Sequence, residues 1–336
     1  MDEGEIEPVQ YCYYPGNVSC IKEPRALWIS VILYVLTAVV VMLTFCGNLV
    51  VIISISHFKQ LHTPTNILVL SLAIADFLVG VVIMPFMVVQ SVDTCWYFGS
   101  EFCVIYSVLL CLLTETSIVS LVMIAVDRYI AICYPLLYSS KITVRIVSVS
   151  VGVVWLIILI YVCGFIFLGG NTEGVIGIDP CPGDCLLVLS SGWGTVDLVL
   201  SFLLPVSVMV TLYSKIFFVA RRHARAISVQ QNISLDHSNI PKKSERKAAK
   251  TLGIVVAVFI LCWLPFYTCT LLNQFINFSV PSVVSCAFLW LAYINSSINP
   301  VIYALFYPWF QKSLKLMMKF KICSSGSSNI KLVAEI

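Results

Sequence analysis

Seven segments of the chain are each long and apolar enough to cross a membrane as a helix, and this limits the fold more than any other feature. A spanning helix needs about 20 mostly apolar residues. Only 11% of the 336 residues are charged, against about 25% in soluble domains. The sequence therefore predicts an all-α integral membrane protein, a seven-transmembrane helix bundle, with spans at 27–56, 65–91, 101–133, 144–169, 191–219, 250–276 and 281–306.

The distribution of charge predicts the orientation and the domains. Of the 20 Lys and Arg residues, only Lys22 and Arg25 precede the first span. Positively charged loops stay in the cytoplasm, so we expect an extracellular N-terminus and a cytoplasmic C-terminus. The basic stripe at 242–247, on the inner side, is expected to face lipid headgroups or an acidic partner. The predicted parts are an N-terminal tail (1–26), the bundle (27–308), and an amphipathic eighth helix with a cytoplasmic tail (309–336).

Several residues are candidates for covalent modification. Asn17 begins an Asn-Val-Ser sequon, which predicts N-glycosylation on the outer side. Cys323 follows the amphipathic segment and is a candidate for palmitoylation, although an unmodified cytosolic cysteine is equally consistent with the sequence. Six cysteines lie in or beside outer segments, where the compartment is oxidising, and their connectivity is not defined by sequence: Cys12, Cys20, Cys95, Cys103, Cys181 and Cys185.

The last span carries polar residues that an apolar helix does not need. Buried polar groups are costly in hydrocarbon and usually mark a functional site. The Asn299-Pro300 pair also leaves backbone carbonyls without their usual donors and permits the helix to bend. Each of the other spans also has one distinctive feature: Asn48, Asp76, Asp127-Arg128-Tyr129, Trp155, Pro205 and Cys262-Trp-Leu-Pro265. In this order they resemble the rhodopsin-like (class A) G-protein-coupled receptors. The pattern Asn-Ser-x-x-Asn-Pro-x-x-Tyr-x-x-x-Tyr-x-Trp-Phe at 295–310 resembles the trace amine-associated receptors.

The resemblance implies a receptor for amines. Such a receptor is not an enzyme and has no nucleic-acid partner; it sits in the plasma membrane and signals through a heterotrimeric G protein. The stimulatory type, which raises cAMP, an olfactory role and a location in sensory cilia are expected. The resemblance also implies the disulfide Cys103–Cys185 and a second one from Cys181 to the N-terminal tail, where the spacing favours Cys20 over Cys12.

The resemblance assigns a switch to the inner half of the bundle. Arg128, between Asp127 and Tyr129, is expected to hold the inner helix ends closed by pairing with Glu245, and to meet the G protein when released. Further switch residues that the resemblance implies are Tyr213, Asn299, Pro300 and Tyr303.

No cofactor is expected, except that an allosteric sodium ion is a hypothesis at the cluster Asp76, Ser117, Asn295 and Asn299. A lone carboxylate in hydrocarbon needs a cation or several hydrogen bonds. A polar network without an ion is the alternative.

The ligand site departs from the usual amine-receptor pattern. Leu110 stands where those receptors have an Asp that binds the ammonium group, eighteen residues before Arg128. Asp197 lies eight residues before Pro205, roughly 12 Å along a helix. Some fish members of the family resemble this arrangement, so Asp197 is predicted to be the relocated anchor. Ser201, one turn further, shares its face.

Glu115 is a second acid near mid-membrane, and isolated acids at such depth usually have a function. It shares a helix face with Cys111, which is expected to point toward helix five. Asp197 and Glu115 are thus predicted as upper and lower anchors for a diamine or polyamine. Alternatively, Glu115 is protonated, or hydrogen-bonded to Thr114 or to a helix-five hydroxyl. It would then only pack between helices three and five.

Five aromatic residues match positions that surround an amine in aminergic receptors: Trp263, Phe266, Tyr267, Trp290 and Tyr293. Rings around an ammonium attract it through cation–π interactions, although plain packing is the commoner role of such residues. A class A receptor for a non-amine small ligand stays open because of Leu110. A transporter or channel is disfavoured, since the sequence has no inverted repeat and no pair of broken helices.

Overall fold

Seven membrane-length helices are present in the computed structural model of the chain, which describes residues 10–13, 19–167, 183, 185, 191–231, 241–275, 280–324 and 326–332. The predicted all-α seven-helix class is confirmed, and the protein is a multi-pass membrane protein. The helices are numbered in chain order as follows: helix 1 Leu27–His57, helix 2 Pro64–Asp93, helix 3 Ser100–Cys133, helix 4 Val144–Phe167, helix 5 191–231, helix 6 Pro241–Phe275 and helix 7 Ser282–Phe306.

Helices 2 and 5 each contain a π-helical segment that the sequence did not predict. Helix 2 runs as Pro64–Leu78, a π segment Val79–Ile83, and Met84–Asp93. Helix 5 runs as Ser191–Asp197, a π segment Leu198–Leu203, and Leu204–Gln231. A π turn holds one residue more than an α turn. The side chains before the turn are therefore rotated about the helix axis relative to those after it. In both helices a proline, which lacks a backbone donor, lies two residues after the π segment: Pro85 in helix 2 and Pro205 in helix 5.

The inner end of the bundle carries two short helices and a returning tail. Pro135–Lys141 lies between helices 3 and 4, and helix 8, Pro308–Met318, follows helix 7. The Ser313 hydroxyl of helix 8 lies 2.6 Å from that of Ser54 in helix 1. Leu332 is buried, and its backbone N–H donates to Gln60 Oε1 at 2.7 Å. The Cys323 side chain lies outside the described part of the chain, so palmitoylation stays a prediction.

Disulfides tie the opposite end together, which we call the N-terminal face because the N-terminal segment lies there. Cys103 of helix 3 is bonded to Cys185, the pair that the resemblance implied. Cys12 is bonded to Cys95 just beyond helix 2, a bridge that the sequence did not indicate. This bridge excludes Cys12 as the partner of Cys181. Cys20 is also disulfide-bonded, whereas Cys181 lies outside the described residues, as does Asn17.

The N-terminal segment forms a hairpin on this face. Strands β1, Gln10–Tyr11, and β2, Ile21–Lys22, pair antiparallel with Gln10 opposite Lys22. The Tyr13 hydroxyl donates to the Trp96 carbonyl at 2.7 Å, and Arg25 donates to the Ser91 carbonyl at 2.5 Å. The hairpin is therefore fixed to the end of helix 2 by hydrogen bonds as well as by Cys12.

Apolar residues form both the core and the outer surface of the bundle. One buried cluster lies toward helix 8 and includes Phe58, Leu72 and Phe259. A second lies toward the N-terminal face and includes Trp96 and Phe165. The outward residues of helix 1 are apolar as well, for example Leu27 at 80% exposure. Lipid solvates such a surface, and the helix satisfies its own backbone.

Candidate functional site

Two carboxylates meet inside the bundle at one serine. The Ser201 hydroxyl of helix 5 is fully buried and lies within hydrogen-bond distance of Glu115 Oε1 of helix 3. The same oxygen lies 3.2 Å from Asp197 Oδ1. Neither acid is exposed. A hydroxyl carries one hydrogen, so it can donate to only one of the two acids at a time.

The π segment of helix 5 helps to place this pair. Asp197 is the last residue before the segment, and Ser201 lies inside it. Their side chains meet on one face, as predicted for residues one turn apart. π turns are frequent at functional sites because they re-aim side chains. The apolar sequence around the segment gave no signal for the additional residue in the turn.

Glu115 faces helix 5, the direction that its spacing from Cys111 indicated. Its contact with Ser201 is the helix-five hydrogen bond that the alternative interpretation described. Both acids contact the same hydroxyl, so they lie closer together than the prediction of an upper and a lower anchor supposed. That these acids anchor a diamine or polyamine stays a prediction.

Two tyrosines border the acid pair, and the sequence analysis missed one of them. The Tyr161 hydroxyl of helix 4 interacts electrostatically with Glu115 and Asp197. It is buried, and it has no hydrogen-bond partner among the described residues. The Tyr267 hydroxyl of helix 6 interacts with the same two acids and with Ser201. Both phenol groups are therefore close enough to the acid pair to interact with it electrostatically.

An aromatic cluster continues from Tyr267 toward helix 7. The Trp263 ring is its centre, with ring-centroid distances of 6.0 Å to Tyr267, 6.2 Å to Phe266 and 6.4 Å to Tyr293. Phe202 of helix 5 stacks on Tyr267 at 4.7 Å and was not predicted. The Trp263 indole N–H is buried without an acceptor in the described part of the chain. Four of the five predicted rings are thus brought together in one cluster, and Tyr267 connects it to the acids.

The remaining predicted pocket residues differ in their relation to the acids, and Cys111 interacts electrostatically with both acids of the pair. Trp290 is apart from the cluster, since its indole N–H donates to Ser91 of helix 2 at 3.0 Å. Leu110 and Cys111 are partly buried and pack against the second core cluster. The Thr114 hydroxyl is also buried. Leu110 leaves helix 3 without a carboxylate at the usual amine-binding position.

Asp76 lies in a polar cluster at the middle of the bundle. It is fully buried and accepts hydrogen bonds from Ser117 at 2.9 Å, Ser296 at 2.8 Å and Asn299 at 2.8 Å. Ser296 was missed, whereas Asn295 is buried but is not one of these three donors. Carboxylate, hydroxyl and amide oxygens are the ligands that hard cations prefer, so the residues fit the hypothesis of a sodium ion.

Helix 7 packs closely on helix 1 beside this cluster. A Cβ atom added to Gly47 would lie 2.8 Å from Pro300 Cβ. The buried Tyr303 follows one turn later, with its ring 5.7 Å from that of Tyr307. The predicted switch residues of helix 7 therefore lie at a contact between two helices that leaves no room for a side chain at Gly47.

Arg128 is held by its neighbours at the inner end of helix 3. Its Nη2 lies 2.6 Å from Asp127 Oδ2 and also donates to Thr65 of helix 2. The Tyr138 hydroxyl, on the short helix Pro135–Lys141, donates to Asp127 Oδ1 at 2.9 Å. Burial raises the pKa of Tyr138, so its hydroxyl stays protonated and donates. Thr65 and Tyr138 were not predicted.

The structure gives contacts for two of the other predicted switch residues, Tyr213 and Tyr129. Tyr213 of helix 5 interacts electrostatically with Arg128. The Tyr129 ring lies 5.9 Å from the Lys215 ammonium group. Glu245 belongs to helix 6, but its side chain lies outside the described part of the chain, so its pairing with Arg128 stays a prediction.

The chain is similar to known membrane receptors. Residues 47–303 match the family of 7 transmembrane receptors (rhodopsin family), which is the class that the bundle defines. The chain is 46% identical to Trace amine-associated receptor 13c of Danio rerio over 99% of this chain and 98% of that relative. It is 45% identical to Trace amine-associated receptor 2 of Homo sapiens over 95% of this chain and 90% of that relative. The chain belongs to the family of trace amine-associated receptors.

Membership of this family confirms that the protein is a receptor rather than an enzyme. A rhodopsin-family receptor takes a small-molecule ligand and signals through a heterotrimeric G protein.

Proposed function

We propose that this chain is a receptor for amines whose ammonium group is held by Asp197 together with Glu115. The observation that carries the proposal is the meeting of the two carboxylates at Ser201. Uncompensated acids at this depth in a membrane are costly, so they mark a place for a cation. The relatives are named as trace amine receptors, which agrees with a cationic ligand.

The aromatic cluster supports the same proposal. Rings within about 6 Å of an ammonium group attract it by roughly 0.5–2 kcal/mol each. Tyr267 borders the acids, and Trp263, Phe266 and Tyr293 extend from it. The ammonium group lies at the acids, and the carbon skeleton of the amine lies along the rings.

Signalling is proposed to run through a stimulatory G protein that raises cAMP, as expected of an olfactory receptor in the plasma membrane or in sensory cilia. The N-terminal face is assigned to the outside, because its two described disulfides form in an oxidising compartment. The network of Arg128, Asp127, Thr65 and Tyr138 represents the resting state of the switch. The Asp76 cluster is proposed to bind sodium in that state.

The test is a panel of mono-, di- and polyamines applied to cells that express the receptor with a cAMP reporter. Asp197→Ala should abolish the responses at normal surface expression, because losing one partner of a desolvated charge pair costs about 3–5 kcal/mol, a hundredfold or more. Glu101→Gln is the matched control, since this acid is exposed at the start of helix 3. Parental potency in Asp197→Ala would contradict the proposal.

Leu110 favours a second candidate, a non-amine ligand of the same fold, because it removes the usual ammonium anchor. The panel therefore includes the neutral alcohol of each amine. Responses to the alcohols alone would support the second candidate. Leu110→Asp restores the usual anchor in helix 3. It should therefore shift the ranking of agonist potencies toward aromatic monoamines.

A further inference from the structure

We propose that the last described part of the chain, residues 326–332, restrains signalling by joining helix 8 to the inner end of helix 1. We call this segment the C-terminal strap. Helix 8 directly follows helix 7, which carries predicted switch residues. A strap that fixes helix 8 therefore also limits how far the inner end of helix 7 can move. The inference does not depend on which ligand the receptor binds.

The strap is fixed to helix 1 at two points. The Ser327 hydroxyl oxygen lies 2.9 Å from Nε2 of His57, the last residue of helix 1. At the other end of the strap, the backbone N–H of Leu332 donates to Gln60 Oε1 at 2.7 Å. Gln60 belongs to the short 3₁₀ helix Lys59–Leu61, which follows helix 1. Two separated contacts define both the position and the direction of the strap.

The strap also contacts helix 8 and the core of the bundle. The Lys312 ammonium group of helix 8 donates to the Lys331 carbonyl at 2.6 Å. The Leu332 side chain is buried in the same apolar cluster as Tyr303 of helix 7 and Phe310 of helix 8. Burial of a leucine side chain favours the docked arrangement. The strap is thus part of the packed structure, whereas chain ends that few contacts hold are poorly ordered.

Two residues hold the strap in place, so single changes can release it. The Leu332 side chain lies among apolar groups, and a carboxylate there would be costly. The buried Ser327 hydroxyl donates to the Ile322 carbonyl at 2.6 Å. A hydroxyl has one hydrogen, so His57 Nε2 is the donor in the contact between His57 and Ser327. Replacing Ser327 by alanine removes both hydrogen bonds.

Contacts between helices 7 and 8 explain how the strap acts on the switch. The ring of Tyr303, a predicted switch residue, lies 6.5 Å from the Phe310 ring of helix 8. A displacement of Tyr303 therefore disturbs helix 8, which Lys312 links to the strap. Contacts that differ between two states shift the equilibrium toward the state in which they are stronger. The strap contacts belong to the resting arrangement and favour it.

The experiment uses the purified full-length receptor and a panel of heterotrimeric G proteins that covers every Gα class, so it does not assume a stimulatory type. Two quantities are measured without agonist: hydrogen–deuterium exchange of the backbone amides in 326–332, and the rate of nucleotide exchange on the G protein. Leu332→Asp should raise amide exchange at least about tenfold, because exchange reports the opening of a segment. It should raise nucleotide exchange several-fold. A receptor that ends at Ser325 should show the same rise in nucleotide exchange.

Matched controls separate release of the strap from the addition of charge or the loss of a hydroxyl. Asn329→Asp adds the same charge at an exposed position of the strap and should leave both quantities at their parental values. Ser327→Ala should raise both, by less than Leu332→Asp does. Ser324→Ala should raise neither, because Ser324 is exposed and its hydroxyl donates to the Lys321 carbonyl of its own turn at 2.7 Å.

Three outcomes would overturn the proposal. The first is parental nucleotide exchange, on every G protein, by the receptor that ends at Ser325; this variant also decides the matter if Leu332→Asp does not fold. The second is an equal rise in Leu332→Asp and Asn329→Asp, which would assign the effect to charge. The third is amide exchange in 326–332 that is as fast in the parent as in Leu332→Asp, since the strap would then not be docked.

Discussion

The Asn48 side chain donates a hydrogen bond to the Ser296 carbonyl at 3.1 Å, across the contact between helices 1 and 7. In a regular helix this carbonyl would accept from the backbone N–H of residue 300, but Pro300 has none. The fully buried Asn48 amide replaces the missing donor. It also donates to the Thr44 carbonyl at 2.9 Å, so both of its N–H groups are used. One side chain of helix 1 thereby donates to the helix 7 carbonyl that Pro300 leaves without its usual backbone donor.

Replacing this donor should destabilise the receptor. Asn48→Leu keeps a similar volume but leaves the buried Ser296 carbonyl without its partner, which costs about 1–2 kcal/mol. We expect a lower melting temperature of the purified receptor in detergent. Asn329→Leu is the control, since Asn329 is exposed in the C-terminal tail. Equal melting temperatures for Asn48→Leu and the parent would show that the amide is dispensable.

The contact beside Asn48 predicts opposite effects of the same substitution at two glycines. At Gly47 a new Cβ would lie 2.8 Å from Pro300 Cβ, and such overpacking costs about 1–3 kcal/mol. At Gly152 of helix 4 a Cβ would meet no atom within 4 Å, so only the gain in helix propensity applies. Gly47→Ala should lower the melting temperature, whereas Gly152→Ala should keep or raise it. Similar shifts at both sites would refute the steric argument.

The helices were predictable because their signal is local. The length of each apolar segment identifies a span without reference to the others, and the predicted bounds 65–91 differ from Pro64–Asp93 by two residues or fewer. Helix 5 ends at Gln231 rather than at 219 and helix 6 begins at Pro241 rather than at 250, because both continue into polar sequence beyond the apolar segment.

The motifs also predicted which residues form the pocket, and the structure brings most of their rings together. They could not show that Glu115 and Asp197 share Ser201, because that depends on how helices 3 and 5 are rotated against each other.

Other features were not predictable, each for a physical reason. The π segments at Val79–Ile83 and Leu198–Leu203 add one residue to a turn, which leaves no trace in a continuous apolar sequence. The Cys12–Cys95 bridge joins positions 83 residues apart, and pairing depends on the folded N-terminal face. Tyr161 has no polar neighbour in sequence, so its place beside the acids could not be read from helix 4 alone.

The Asp76 cluster predicts stabilisation by sodium. An ion that binds only the folded receptor raises its stability in proportion to the logarithm of the ion concentration. We expect a higher melting temperature in sodium chloride than in choline chloride at equal ionic strength. Asp76→Asn removes the charge at constant shape and should abolish the difference. Ser296→Ala should reduce it, because this hydroxyl lies 2.8 Å from Asp76 Oδ1.

The choline salt controls for ionic strength, and potassium chloride controls for the size of the cation. A parent receptor with the same melting temperature in all three salts would favour the alternative, a hydrogen-bonded network without an ion. A sodium effect that persists in Asp76→Asn would assign the ion to another site.

Tyr138 provides the last prediction, which concerns the resting state of the switch. Its hydroxyl donates to Asp127 Oδ1 at 2.9 Å and lies 3.4 Å from Arg128 Nη2. Tyr138→Phe removes this hydroxyl and keeps the ring. Hydrogen bonds to charged groups contribute about 1.5–3 kcal/mol. Because this bond belongs to the resting state, its loss shifts the ligand-free receptor toward the active state. We expect a several-fold rise in basal cAMP, measured at equal surface expression.

Comparison with Glu245→Ala decides which contact holds Arg128. Ser139→Ala controls for the loss of a hydroxyl on the same short helix, since the Ser139 hydroxyl is bonded only to the Leu136 carbonyl at 3.2 Å within the described structure. Arg128→Ala should keep amine binding and remove signalling. A rise in basal cAMP in Glu245→Ala with none in Tyr138→Phe would mean that helix 6, rather than Tyr138, restrains the arginine. A rise in both variants would mean that Arg128 is held from two sides, and the double variant should then exceed either single change.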